Sequence, residues 1–177
     1  MFGKEEVKVF LKEKGIPFRW VEHKAVYTIE EMEELGLEKM EETAKNLFLR
    51  DQKGKNHFLV VIRADKQANL KELGEKLEKS SVTVAIKAGE GGRAFGSVSS
   101  EERLEKYLGL KKGAVTPLGI LNDTACAVKV FLDRDFLEKE EIGVHPNDNT
   151  ASVYLKTADL MQIIKEHGNS LEVLSFA

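Results

Sequence analysis

The sequence predicts an α+β domain: a mixed, mostly antiparallel β-sheet with helices packed around it. Three observations predict it. Apolar runs of strand length outnumber helical patterns, and they come in clusters joined by short turns. The length of 177 residues suits one domain, and no repeat, low-complexity stretch or linker divides it.

The elements follow in chain order. Lys4 to Lys14 sets Val7, Phe10 and Leu11 at helical spacing and stops at Gly15-Ile16-Pro17. Phe18 to Val21 reads as a short strand. Thr28-Ile29-Glu30-Glu31 has the pattern of a capping box, in which the threonine and the glutamate three residues on satisfy each other's backbone N–H groups. It opens a helix running to about Leu35. Thr43–Arg50 and His57–Ala64 form a predicted hairpin across Asp51-Gln52-Lys53-Gly54-Lys55, with Gly54 free to take a positive φ. Asn69 caps a helix over Leu70–Leu77, and Val82–Ile86 reads as a strand before a glycine-rich loop. Ser99-Ser100-Glu101-Glu102 is a second capping box, for a helix that ends at Gly109. Strands are expected at Val115–Leu121, Val128–Leu132, Ile142–Val144 and Ser152–Leu155. Thr157 caps the last helix, Gly168 ends it, and Leu171–Leu174 supplies an edge strand.

Composition excludes several classes of function. A hydrophobic share of 42% against 32% charged residues fits a folded chain rather than a disordered one. No apolar run approaches the roughly 20 residues that span a bilayer, and the acidic Met1–Glu6 start is unlike a signal peptide, so no membrane association and a cytoplasmic location are expected. Cys126 is the only cysteine, which rules out an internal disulfide and a thiolate cluster; its small apolar neighbours read it as a buried hydrophobe. HxH, HExxH, G-x-S-x-G and Walker patterns are all missing, so neither a metal nor a cofactor is expected. The net charge of -3 argues against broad nucleic-acid binding while leaving room for a local basic face.

Three segments place polar or backbone-shaping groups at the ends of apolar runs: Ala44-Lys45-Asn46-Leu47-Phe48-Leu49, Gly113-Ala114-Val115-Thr116-Pro117, and His145-Pro146-Asn147-Asp148-Asn149-Thr150-Ala151. By residue type alone Lys45 reads as a solvated lysine, Gly113–Pro117 as an ordinary turn, and His145 as a structural hydrogen-bonder. His57 and His167 lack partners at meaningful spacing and read as structural or exposed. Val26 and Tyr27 are balanced between pocket wall and core.

In their order and spacing the three segments resemble the prolyl-tRNA editing proteins of the YbaK/ProX superfamily over nearly the whole chain. The resemblance implies a YbaK-like fold with a partly closed barrel, and an aminoacyl-tRNA deacylase that hydrolyses mischarged tRNA in trans, with alanine on proline tRNA as the first expectation. Cysteine or another small amino acid, a tRNA- or amino-acid-binding module without catalysis, and a structural partner of prolyl-tRNA synthetase are the rivals. It implies a catalytic set of Lys45, Asn46, Gly113, Thr116, Pro117 and His145, with His145 shaping the pocket or positioning water. Val26, Tyr27, Thr28, Ala114, Val115, Asn149 and Ala151 are the implied substrate-binding residues. Arg50, Lys53, Lys55 and Lys129 are expected to meet the acceptor stem, from their charge and their place at the hairpin. Residues 80–97 depart from the family pattern and are expected to be an insertion or flap.

Overall fold

The computed structural model describes residues 1–27, 29–36, 42–50, 56–66, 73, 76 and 101–176, with backbone only at 29, 32 and 33. Thr28, Lys53, Lys55, the helix expected after Asn69, the strand expected at 82–86, the serines of the second capping box and the 80–97 segment lie outside the described residues.

The chain begins with α1 (Lys4–Glu13), which buries Val7 and Leu11 and ends where Gly15 turns to φ +68°. Phe2 just before it is gripped at both backbone groups. Its N–H donates to Asn122 Oδ1 at 2.6 Å, and its carbonyl accepts from Asn147 Nδ2 at 2.8 Å. β1 (Phe18–Glu22) and α2 (Ile29–Glu34) follow. Glu31 reaches back as the capping pattern expects, but its Oε2 accepts from the N–H of Tyr27, at 3.0 Å.

β2 (Ala44–Arg50) and β3 (His57–Arg63) form the expected antiparallel hairpin, Ala44 facing Arg63 and Arg50 facing His57. α3 (Glu101–Leu108) ends at Gly109, φ +62°. β4 (Val128–Asp133), β5 (Ile142–Val144), β6 (Ala151–Leu155), α4 (Thr157–His167) and β7 (Leu171–Leu174) complete the chain. Two predicted details change. Val115–Leu121 is not a strand: Pro117–Asn122 is a 3₁₀ helix, opened by Thr116, whose hydroxyl oxygen accepts from the N–H of Leu118 at 3.3 Å. Its apolar residues are buried on all sides, and a short apolar run buried in that way carries no period to tell a strand from a helical turn. Thr157 does not cap α4 either. Lys156 holds the cap position, and the Thr157 hydroxyl donates instead to Phe136 O at 3.0 Å.

The strands form two sheets, β1-β6-β5 and β2-β3-β4-β7. The first is antiparallel throughout, with β6 buried at its centre. The second is antiparallel only at β2–β3; β4 lies parallel to β3, and β7 parallel to β4. Among the described residues one parallel bridge, Thr43 to Gly143, joins the sheets, supported by Gly143 N–H donating to Glu42 O at 2.8 Å. Among the described residues they do not close into a barrel.

Alternation along β2 divides the core. Phe48 joins Leu59, Val61, Val130 and Leu132 in the main core under the helices. Leu47 and Leu49 face the other way, into a second cluster with Phe58, Val60, Ile62, Phe131 and Phe176. This partition decides where the candidate functional side chains point. No helix among the described residues is long and apolar enough to cross a membrane.

Candidate active site

The Gly113 loop, the His145 loop and the start of β2 meet at the bridge between the sheets. Gly113 has φ +88°, and a Cβ there would lie 2.6 Å from Tyr27 Cδ1 and 3.1 Å from Asn149 Nδ2. Only glycine fits both the backbone angle and the approach. The turn leading in is closed by Ala114 N–H donating to Lys111 O at 3.1 Å. Thr116 is fully buried and ties this loop to the next, its hydroxyl donating to His145 O at 2.6 Å. Pro117, also buried, starts the 3₁₀ helix, where its missing N–H costs nothing.

Asn149 clamps the segment before α2 from both sides. Its side-chain amide donates to Val26 O at 2.8 Å, and its backbone carbonyl accepts from Val26 N–H at 3.3 Å. Val26 is buried, whereas Tyr27 keeps 63% of its surface exposed. The two residues that the sequence left balanced thus divide, one into the core and one onto the surface beside Gly113. Ala151 is buried at the start of β6, opposite Glu22.

The His145 ring is oriented by Ala151, whose carbonyl lies 3.0 Å from Nδ1. A carbonyl only accepts, so Nδ1 carries the proton and Nε2 of the neutral ring presents a lone pair. Burial lowers the pKa of His145, the Ala151 carbonyl partly opposes this, and the nearby His23 lowers it further. The two rings are 6.2 Å apart. His23 is itself held, Nδ1 to Lys24 O at 2.7 Å and Nε2 to Ser152 Oγ at 2.9 Å.

Asn46 points to the same side as Phe48, and its Nδ2 donates to Val115 O at 3.2 Å, which joins β2 to the Gly113 loop. Its Oδ1 is buried and has no hydrogen-bond partner among the described residues. An orphaned buried acceptor is costly unless something else satisfies it, which suits a position that meets a ligand or water.

Lys45 points the other way. It is 9% exposed, lies on the face of Leu47 and Leu49, and donates to the carbonyl of Lys66. Burial lowers its pKa, while Asp65 and Glu30 pull it back up. The Lys66 backbone is in turn fixed by its own side chain. Lys66 Nζ lies 2.8 Å from Asp133 Oδ2, 3.0 Å from Asp135 Oδ2 and 2.8 Å from Phe176 O. Asp133 is wholly buried and also accepts from the N–H groups of Arg63 and Asp135, at 3.2 and 3.1 Å. Lys66 and Asp133 were not anticipated from the sequence; the only signal was a pair of carboxylates, Asp133 and Asp135, closing an apolar strand.

Lys45 and Asn46 therefore flank β2 from its two faces. β2 is an edge strand, and among the described residues its outer side carries only the bridge at Thr43. The other expected cations sit elsewhere. Arg50 is five residues further along β2, roughly 17 Å from Lys45 at strand rise. Lys129 is beside the start of β3, its Nζ 3.3 Å from Asn56 Oδ1 and 5.9 Å from the Phe58 ring centre. His57 is structural, buried against Tyr107 with ring centres 3.9 Å apart and its Nε2 3.0 Å from Arg103 Nη1. Among the described residues no group of three His, Cys, Asp or Glu side chains is placed to hold a metal ion.

The sequence model of the aminoacyl-tRNA editing domain matches residues 23–163, a span that contains Lys45, Asn46, the Gly113 loop and the His145 loop. The chain belongs to the aminoacyl-tRNA editing domain family. Its sequence is 41% identical over 174 residues to the prolyl-tRNA editing protein ProX of Acetoanaerobium sticklandii, covering 98% of each chain. It is 36% identical over 158 residues to prolyl-tRNA synthetase associated domain-containing protein 1 of Mus musculus, covering 88% of this chain and 86% of the mouse protein. Its fold is similar to that of a solved structure described as a candidate trans-editing enzyme for prolyl tRNA synthetase, with TM-score 0.68, 18% identity, and 98% and 97% of the two chains covered. The editing domain is a hydrolase acting on ester bonds, an aminoacyl-tRNA deacylase, and its substrate is mischarged tRNA.

Proposed function

We propose that this chain is a trans-editing deacylase that hydrolyses alanine from the 3′ end of mischarged proline tRNA. The observation that carries the reading is the 41% identity to a prolyl-tRNA editing protein across 98% of both chains. The physical need is plain: a synthetase pocket built for proline rejects a smaller amino acid only by lost contacts, and each methylene is worth ~1–3 kcal/mol. A second pocket that admits alanine and excludes proline clears the remaining errors. The chain would act downstream of prolyl-tRNA synthetase, in the compartment where tRNA is charged, the cytoplasm.

In this mechanism water attacks the ester carbonyl without a protein nucleophile. His145 Nε2, held lone-pair outward by the Nδ1 contact to Ala151, accepts a hydrogen bond from that water and positions it, and its lowered pKa keeps the ring neutral for the task. Backbone N–H groups of the Gly113–Pro117 loop face the developing oxyanion, an arrangement whose single donors are typically worth ~10²–10³ in rate. Asn46 Oδ1 accepts from the bound substrate, which satisfies the orphaned acceptor. Lys45 reaches around the edge of β2 to the terminal phosphate or carbonyl. Ala114, Val115, Asn149 and Ala151 set the size of the pocket, with the buried Val26 behind them. Arg50 and Lys129, with Lys53 and Lys55, meet the acceptor stem away from the reacting end.

The test is release of labelled alanine from Ala-tRNA(Pro), beside Pro-tRNA(Pro) and Cys-tRNA(Pro), with Lys45→Ala as control. Fast loss of alanine alone, abolished by the substitution, is the expected result. Hydrolysis of the cysteinyl ester with none of the alanyl ester would overturn the substrate. Stable esters alongside normal tRNA binding would overturn the activity.

A further inference from the structure

Tyr27 is a large aromatic side chain left 63% exposed at the edge of the site, yet its backbone is tightly held. Its N–H donates to Glu31 Oε2 at 3.0 Å, and the residue before it is clamped by Asn149 through bonds of 2.8 and 3.3 Å. The ring lies against the Cα of Gly113, where the glycine leaves room for it. A ring fixed from behind and bare to solvent loses little further freedom when something flat settles on it. The two residues immediately before Gly113, Lys111 and Lys112, are both exposed, and neither forms an ion pair among the described residues. An aromatic face against a loop that carries exposed cations is how proteins hold the end of a single strand of nucleic acid: the base stacks and the backbone phosphates meet the lysines.

Resting on the deacylase reading above, we propose that Tyr27, Lys111 and Lys112 form the docking platform for the single-stranded 3′ end of the tRNA. The terminal base stacks on Tyr27, and the two preceding phosphates meet Lys111 and Lys112. The arrangement explains how a chain of net charge -3 grips a polyanion: the basic contact is confined to the few nucleotides that enter the site. It also supplies a cation pair at the reacting end, which Arg50 and Lys129, at the far end of the strands, do not.

The experiment measures binding of an uncharged acceptor-stem minihelix, with its 3′-terminal nucleoside intact or replaced by an abasic residue. The wild-type chain should lose affinity on the order of 10-fold when the base is removed. Tyr27→Ala should bind the intact minihelix about that much more weakly and be indifferent to the base, and Tyr27→Phe should recover the difference. Lys111→Ala and Lys112→Ala should each flatten the slope of log affinity against log salt by ~0.7, the single-strand value for one phosphate. Equal loss on base removal in wild type and Tyr27→Ala, or unchanged salt slopes, would overturn the platform. Base-dependent binding through Tyr27 in a wild-type chain that cleaves no charged tRNA would instead support the platform and sink the deacylase reading.

Discussion

Lys45 and Asn46 are neighbours in the chain, and they are held by opposite means. On the Lys45 face the support is charge: a buried carboxylate at Asp133, the Lys66 ammonium, and a turn carbonyl that receives Lys45. On the Asn46 face it is backbone geometry: Val115 O, the Thr116–His145 tie, the Asn149 clamp, and a glycine with no room for a side chain. Charge networks fail when one partner is removed, because the other is left buried and unpaired. Backbone-built sites tolerate charge changes and fail when an added atom moves the loop. The two halves should therefore break differently.

The largest effect on stability belongs to the charged half. Asp133→Ala leaves Lys66 without its buried partner and should destabilise the fold by about 3 kcal/mol or more, read by denaturant unfolding. Adding Lys66→Met to it should restore part of that loss, and a purely additive double variant would show that the pair is not a unit. Next in size is Gly113→Ala. With φ +88° and a Cβ 2.6 Å from the Tyr27 ring, the loop or that ring must shift, and deacylation should fall on the order of 10²-fold while thermal stability falls only modestly. A variant with full activity would show that the loop backbone takes no part.

Lys66→Gln is milder, keeping a donor for Asp133 while removing the charge. It should raise KM or lower kcat by roughly tenfold if the Lys66 carbonyl positions Lys45, and alter stability without touching either if it does not. The smallest effect is the pH dependence that His145 imposes. Its pKa is lower in the folded chain than in the unfolded one, so between the two values the unfolded chain binds more protons. Stability should accordingly fall as pH drops from the ordinary histidine value of about 6.5 through the lowered one, then level off. Replacing His145 with Gln should flatten that stretch of a melting-temperature profile; an unchanged slope would assign it to another group.

The two halves also differed in how well they could be read. The backbone-built half was legible in part, because glycine, proline and asparagine announce turns by residue type: Gly109, Gly113 and Gly168 all take positive φ, and Gly113, Asn149 and His145 do come together. The hairpin was legible from two apolar runs and a turn. The charged half was not. That Lys66 meets Asp133 and Phe176 depends on β4 lying parallel to β3 and β7 parallel to β4, and no local pattern specifies which strand lies beside which. The missed 3₁₀ helix over Pro117–Asn122 has a related cause, since its residues are buried by distant partners rather than by their own repeat. That Lys45 and Asn46 point apart follows from strand alternation alone, once β2 is known to be flat and paired through both residues.

The parallel placement of β7 has a consequence for the chain as it is made. Synthesis delivers β2 and β3 early, yet the carbonyl that receives Lys45 rests on a lysine anchored to Asp133 and to Phe176, and β7 enters the sheet only beside a finished β4. Contacts spanning 110 residues of sequence close late. A nascent chain that has emerged as far as the hairpin, but not as far as β4 and β7, thus carries Lys45 without the support beneath it.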